Sequence, residues 1–395
     1  MTDLPTVRLL PKRDRRLRQG SPWVFANEIA MDAEAKALAG GSLVRIALPD
    51  GRGYGLAHFN PHSLIVARLL TRKMDASIDR SFIARRLERA LGLRERTIGG
   101  RCYRLVHAEA DHLPGLVIDR YGDVAVAQLN TAGMAAIQET IVAALEKTIQ
   151  PASFVLRNDS PVRQLEGLTS SVEVVGEAIE PPIELIENGR KHHADPVSGQ
   201  KTGWFFDQAD NRLLAASIAR DAEVLDLYSY TGGFAIAAAL AGAKRVLAVD
   251  RAEAALELAR LGAEANSVAD RLTFQADEVF KTIDRLMEEK RRFGLVIADP
   301  PAFVRAKKDL ASGLKGYRKL ARGAAHLVAQ DGFLAIGSCS HHVSETDLQA
   351  SAHGGIRDAG RSARLLKSGG AAMDHPTHPA LPETGYLKFL LYALD

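Results

Sequence analysis

The sequence predicts an α/β protein whose C-terminal part is a doubly wound parallel sheet, and three observations carry that prediction. Short apolar runs at residues 224–227, 245–249 and 295–298 each contain or meet an aspartate, as buried strands do on reaching a polar sheet rim. Helical periods separate them, over residues 234–240, 252–266 and 278–290. The first run leads into Thr231-Gly232-Gly233, a turn without Cβ bulk that lets backbone approach a polar ligand at the start of an Ala-rich helix.

From the N-terminus, residues 1–75 read as a small β unit. Residues 43–48 alternate apolar and polar, 53–59 follow a Pro49-Asp50-Gly51 turn, and 64–70 give a third strand. Residues 76–188 read as an α+β segment. Its helix over 79–97 is followed by strands at 103–107, 115–120 and 124–129, a helix at 135–149, and strands at 154–157, 172–177 and 184–187. Residues 189–395 hold the doubly wound part. A helix at 213–220 precedes strands at 224–227, 245–249, 272–275, 295–298 and 333–338, with a helix at 314–328 before the last of these. Strands at 363–366 and 386–393 close the chain as a hairpin, making seven strands in all.

A chain of 395 residues, 46% hydrophobic and 25% charged, is a globular protein of two or three domains. A net charge of +3 excludes a polybasic binder, but residues 8–18 carry Arg8, Lys12, Arg13, Arg15, Arg16 and Arg18 against Asp14 alone. Such a cluster contacts phosphates or is simply a solvated arm. Residues 1–20 lack the apolar core of a signal peptide, and the longest apolar stretch, 234–243, is about half a membrane span. The two cysteines, Cys102 and Cys339, make neither a disulfide framework nor a zinc spacing. A cytoplasmic protein with no structural metal and no membrane segment is expected.

Asp226, Asp250, Asp277, Asp299 and Cys339 each fall at or just past a strand's carboxyl end, the rim where open α/β sheets bind ligands. Asp250 lies 24 positions after Asp226, about where such folds place the carboxylate that takes a ribose diol. The turn is not Gly-x-Gly-x-x-Gly, which disfavours a nicotinamide dehydrogenase. Asp299-Pro300-Pro301 stops its strand rigidly and suggests that the nucleoside cofactor is S-adenosyl-L-methionine. Enzymes that methylate exocyclic amines place an aromatic directly after such prolines; here Ala302 comes first and Phe303 second. Cys339, in Gly337-Ser338-Cys339-Ser340-His341-His342, is either a small buried hydrophobe or a thiol nucleophile. Polar neighbours and the shared rim with Asp299 favour the nucleophile, and Ser344 with Asp347 would cap the following helix. Cys102 reads as structural. His341 and His342 alternate sides and make poor partners for one metal. Residues 199–212 read either as a loop with a helix cap or as a lid, with Phe205 shielding the adenine and Lys201 or Asp207 reaching the methionine end.

With GQKTGWFFDQADNR (199–212), LDLYSYTGGF (225–234), ADPPAF (298–303), GSCSHH (337–342), DHPTHPALPETGYLK (374–388) and RLVHAEADHLPGLVIDRYGD (104–123), the chain resembles bacterial class I methyltransferases that make 5-methylcytosine in 23S ribosomal RNA. The resemblance runs nearly end to end. It implies an N-terminal PUA RNA-binding domain, a small α+β domain and a Rossmann-like methyltransferase domain. It also implies that Cys339 is the covalent nucleophile and that Asp299 holds the cytosine edge. Many RNA cytosine-C5 methyltransferases carry a second cysteine beside the Pro-Pro, and this chain has none. The expected cofactor contacts are Asp226, Tyr228, Thr231, Gly232, Gly233 and Phe234 at the methionine part, Asp250 at the ribose and Asp277 at the adenine. Asp299, Pro300, Thr202, Phe205 and Asp207 complete that set. Pro301, Phe303, Arg13 and Arg16 are the expected RNA contacts, with ribosomal RNA the partner and a homodimer left open. Two alternatives stand: an N- or O-methyltransferase with a structural Cys339, and a non-catalytic RNA-binding assembly factor.

Overall fold

The computed structural model describes residues 4–395, and its contacts divide the chain into two units. The first holds the residues up to Pro181 with Pro196–Gly203 and Asp374–Pro382; the second holds Pro182–Asp195, Trp204–Met373 and Glu383–Asp395. The chain therefore changes unit five times. The expected boundary at 188/189 falls in the turn of a hairpin, Ile183–Glu187 with Arg190–Ala194, whose two strands both lie in the second unit.

The first unit contains two five-stranded sheets. The N-terminal one runs in the order Thr6–Arg8, Ser42–Ala47, Gly53–Phe59, Ala67–Thr71, Trp23–Val24. Its third expected strand starts late because Asn60 N–H bonds Val66 O at 2.7 Å, closing a turn that leaves Leu64 74% exposed. The basic segment is anchored from below: the buried Tyr54 hydroxyl donates to Leu17 O at 2.6 Å. The other sheet runs Ser171–Gly176, Ser153–Asn158, Val124–Leu129, Leu116–Tyr121, Cys102–His107. Helices Arg80–Thr97 and Gln138–Ile149 share one core with it through Ile83, Leu87, Ile141 and Leu145. Asp79 caps the first of these by accepting from Phe82 N at 2.8 Å. The helix expected over 135–149 is interrupted at Ile137 (φ −114°, ψ 25°), and a separate turn, Ala132–Ala136, begins at its own cap, Thr131. Fully buried Arg94 bonds Asp111 at 2.6 and 2.8 Å, Arg104 O at 2.9 Å and Asp374 O at 2.9 Å, which fastens the 374–382 segment into this unit.

The second unit is built on the expected seven-stranded sheet. In chain order its strands are β1 (Glu223–Leu227), β2 (Arg245–Asp250), β3 (Leu272–Ala276), β4 (Phe293–Ala298), β5 (Val328–Ser338), β6 (Ala363–Gly369) and β7 (Lys388–Leu394). The spatial order is β3-β2-β1-β4-β5-β7-β6: five parallel strands, then β7 antiparallel to both β5 and β6. Helices α1 (Ala209–Ala216), α2 (Gly233–Leu240) and α3 (Glu253–Ala265) contribute Ala215, Phe234, Ile236 and Ala263 to one core. Helices α4 (Val279–Glu288), α5 (Leu310–Leu327) and α6 (Glu345–Asp358) contribute Ile283, Tyr317, Leu348 and Ile356 to the other. Two cores, one per face, explain why β4 and the inner part of β5 are apolar and why β1 is apolar but for Glu223 at its start and Asp226 near its end. The strand order reverses between β1 and β4, and the crevice at such a reversal is where doubly wound sheets take ligands.

Candidate functional site

The site starts at Asp226, near the end of β1 and fully buried. Its Oδ2 accepts from the Ser229 hydroxyl at 2.8 Å and from Ala235 N–H, in the first turn of α2, at 3.1 Å. Its Oδ1 is buried without a hydrogen-bond partner. Burial pushes this carboxyl up to about 7 against the pull of the Ser229 hydroxyl, and the charges of Asp299 and Asp250 push the same way. A buried acceptor with one oxygen unsatisfied is costly unless a donor arrives, so the pocket fits a cationic ligand group.

The turn that follows is unusual backbone. Tyr228 and Tyr230 hold φ of 64° and 50°, and Gly232 holds 74°. Left-handed aromatic residues cost energy and persist where the surroundings fix them. Here Ser229 N–H bonds Val249 O at 3.0 Å and Tyr230 N–H bonds the Asp250 carboxylate at 3.0 Å. Gly232 has a second reason to be glycine, since a Cβ there would stand 2.8 Å from that of Ala259. The Thr231 hydroxyl is also buried without a partner. Phe234 differs from its expected role: its ring stacks on Phe389 (5.6 Å, 8°) within the core, so only its main chain belongs to the turn.

Neighbouring strand ends bring the other carboxylates alongside. Asp250 accepts from Tyr230 N–H and from Ala252 N–H at 2.9 Å, which orients it at the tip of β2. Asp277 follows β3 just before α4, accepting from Glu278 N–H at 2.7 Å and the Thr282 hydroxyl at 3.1 Å; the Glu278 N–H chiefly holds its carboxyl below the usual range. Asp299 follows β4 and accepts from Gln208 Nε2 at 2.7 Å. Pro300 is buried and Pro301 exposed. Phe303 lies half-buried on the Tyr317 ring at 4.8 Å.

Cys339 follows β5, directly beside β4, and is partly exposed between two buried serines. Its strand end comes close to Asp299: a Cβ on Gly337 would overlap the Asp299 carboxylate. Beneath the cysteine lies a hydroxyl relay. Ser338 Oγ and Ser340 Oγ sit 2.8 and 3.0 Å from the Tyr317 hydroxyl, and Ser340 Oγ accepts from Val304 N–H at 3.3 Å. The capping box expected after Cys339 is present, Asp347 N–H donating to Ser344 Oγ at 3.0 Å.

The expected lid segment divides. Thr202 lies in the first unit, its hydroxyl on Asp119 at 2.5 Å and its carbonyl taking the Tyr121 hydroxyl at 3.0 Å. Phe205, in the second unit, meets the Tyr230 ring edge-on at 5.2 Å. Asp207 is buried and accepts from the Tyr386 hydroxyl. Sequence reasoning missed the support under this segment. Glu187 accepts from Trp204 Nε1 at 2.9 Å and from Arg212 Nη1 at 2.7 and 2.8 Å, while Arg212 stacks on Trp204. Gly233 sits against this group, a Cβ there falling 2.5 Å from Arg212 Nε. Removing Glu187 would strand a buried guanidinium, so Glu187→Ala is expected to cost about 3–5 kcal/mol in urea unfolding of the full chain.

Arg13 and Arg16 line a cavity of about 600 Å³ in the first unit with Lys12 and Arg15. Arg16 lies 3.6 Å from Glu28 and over the Phe25 ring. Among the described residues no group of three or more His, Cys, Asp or Glu is placed to hold a metal, and no helix is long and apolar enough to cross a membrane.

Comparison with known proteins agrees with this geometry. Residues 7–72 match the PUA-like domain family, and residues 100–349 match the S-adenosylmethionine-dependent methyltransferase family. A relative from Alteromonas mediterranea named "Ribosomal RNA large subunit methyltransferase I" is 37% identical over 390 residues, covering 98% of each chain. One of the same name from Vibrio cholerae is 36% identical over 391 residues, 97% of this chain and 98% of its own. Among solved structures, a protein from Streptococcus mutans assigned as a SAM-dependent methyltransferase superposes with a TM-score of 0.82 at 20% identity, over 99% of this chain and all of its own. A methyltransferase structure in complex with SAH gives 0.84 at 20% identity with the same coverage. The buried acceptor of Asp226, the left-handed turn and the row of rim carboxylates fit the same cofactor. The chain belongs to the S-adenosylmethionine-dependent methyltransferase family and carries a PUA-like domain at its N-terminal end.

Proposed function

We propose that the protein methylates C5 of one cytosine in cytoplasmic large-subunit ribosomal RNA, through a transient bond between Cys339 and the base. The observation that carries the reading is the placement of Cys339 and Asp299 on adjacent strand ends, β5 and β4, with glycine at 337 where a side chain would displace the carboxylate. The name shared by the Alteromonas and Vibrio relatives supports the RNA class.

Carbon-5 of cytosine is too weak a nucleophile to take a methyl group unaided. The Cys339 thiolate adds to C6, and the displaced electron pair makes C5 an enamine carbon. Asp299, oriented by Gln208, hydrogen-bonds the N3/N4 edge and limits charge build-up on the ring. Bound S-adenosylmethionine supplies the electrophilic methyl. After transfer a base removes the C5 proton, the C6–S bond breaks, and the electron pair returns to the sulfur. Asp226 Oδ1 would pair with the cofactor's ammonium, Asp250 with the ribose hydroxyls, Asp277 with the adenine amine, and Phe205 with Tyr230 would wall the pocket. Thr202, engaged with Asp119, is outside this set. A base in structured RNA must be unstacked to reach such a rim. Arg13, Arg16 and their neighbours around the basic cavity would hold RNA phosphates in a salt-dependent way.

Ribosomal RNA carrying 5-fluorocytidine tests this, because fluorine at C5 blocks the proton loss that precedes release. Incubation with cofactor is expected to leave a covalent protein–RNA species whose cross-linked peptide contains Cys339. Methylation that proceeds on ordinary RNA with no such species from the fluorinated one would overturn the covalent route.

A further inference from the structure

Lys388, the first residue of β7, is 7% exposed and pairs in register with Ser338 on β5. Its ammonium donates to Ser340 O at 2.8 Å and to Tyr386 O at 2.7 Å, and it forms no salt bridge among the described residues. A buried cation that meets only neutral carbonyls is unfavourable unless a negative charge appears nearby. Ser338, with which it pairs, and Ser340, one of the two residues it bonds, are the immediate neighbours of Cys339. We propose that Lys388 is a positioning residue for Cys339, its ammonium anchoring the strand end through Ser340 O and serving as the counter-charge of the thiolate.

The inference rests on the nucleophilic reading of Cys339 and adds the group that keeps it ionised. Burial pulls the Lys388 ammonium down, and the charge of Cys339 acts in the opposite direction. The same charge pushes up the Tyr317 hydroxyl, already raised by burial. The groups facing this strand end are therefore Lys388 from β7, Tyr317 from α5, Asp299 from the end of β4, and His341, whose ring lies 5.1 Å from that of Tyr386. Lys388 is the cation bonded to the cysteine's own segment; Asp299 works against ionisation and Tyr317 is neutral near pH 7. A cation beside a thiol lowers its pKa and raises the thiolate fraction.

The test is the pH profile of Cys339 alkylation by iodoacetamide in the full chain, read by mass spectrometry of its peptide so that Cys102 does not contribute. In the unmodified protein the inflection is expected below the ordinary thiol value of about 8.5. In Lys388→Met and Lys388→Gln it should rise by about one pH unit or more, cutting the rate at pH 7 about tenfold, and Lys388→Arg should restore most of it. Methyl transfer by the two neutral variants should recover as pH is raised toward 9. An inflection at 8.5 or above in the unmodified protein would overturn the proposal without any variant. So would an unchanged inflection in a neutral variant that still binds S-adenosylmethionine. If Cys339→Ala retains methyl transfer, the covalent reading fails instead, and the alkylation profile then stands as a separate result.

Discussion

Replacing Cys339 by alanine is expected to lower methyl transfer to RNA by ~10⁴-fold or more, the scale on which removal of a covalent nucleophile acts. Cofactor affinity should stay within about threefold, because β4 separates the strand that leads to Cys339 from the strand that holds Asp226. Alanine keeps the Cβ, and the strand end remains held by Ser338 and Ser340 on Tyr317 and by Lys388 on Ser340 O. Single-turnover incorporation of labelled methyl into unmodified ribosomal RNA, with calorimetry of cofactor binding, measures both. A residual rate within tenfold of the unmodified protein would make Cys339 structural and move the acceptor atom to nitrogen or oxygen.

Asp226 should govern the pH dependence of cofactor binding. Its pKa in the unliganded fold is about 7, raised by burial from the usual 3.8. The ionised form is the one that pairs with an ammonium, so below pH ~7 a proton must leave on binding. Affinity is then expected to weaken about tenfold for each pH unit below ~7 and to level off above it, until the ligand's own ammonium titrates. Stability of the unliganded protein runs the other way. The folded state binds the extra proton between about pH 4 and 7, so this group's contribution is full below about 4 and is lost as pH rises through 7. That is about 1.4 kcal/mol per unit and about 4 kcal/mol in all. Asp226→Asn should remove both slopes and weaken cofactor binding about 100-fold or more. Calorimetric titrations and denaturant unfolding at pH 5.5, 6.5 and 7.5 measure them; a variant that keeps either slope would assign it elsewhere.

The sheet of the second unit was legible because parallel strands buried on both faces must be short, apolar and terminated by polar residues. Val224–Leu227, Arg245–Val249 and Leu295–Ala298 have that form, and each delivers its carboxylate to the rim. The hairpin strand Arg190–Ala194 was not legible, since Arg-Lys-His-His-Ala has no alternating pattern and owes its shape to pairing with Ile183–Glu187. The same holds for Thr6–Arg8, three residues defined by their parallel partner. Within the site, residues that end strands could be named in advance, whereas those that orient them could not. Gln208 reaches Asp299 across 91 positions, Lys388 reaches Ser340 O across 48, and Tyr317 reaches Ser338 across 21. A glutamine ending a short 3-10 turn, a lysine opening a strand and a tyrosine in a helix carry no local mark of such partners. Phe234 shows the converse: its place beside the turn suggested a ligand contact, while its ring serves the core against Phe389.

The five changes of unit along the chain bear on how this protein could have been assembled and how it can be taken apart. Residues 196–203 and 374–382 are encoded amid the second unit yet complete the first, the latter clasped by Arg94 and by Arg104 N–H on Asp374 at 2.8 Å. No single cut in the gene separates the two units. A fragment starting at 189 would carry an orphaned clasp segment without the arginine made to grip it.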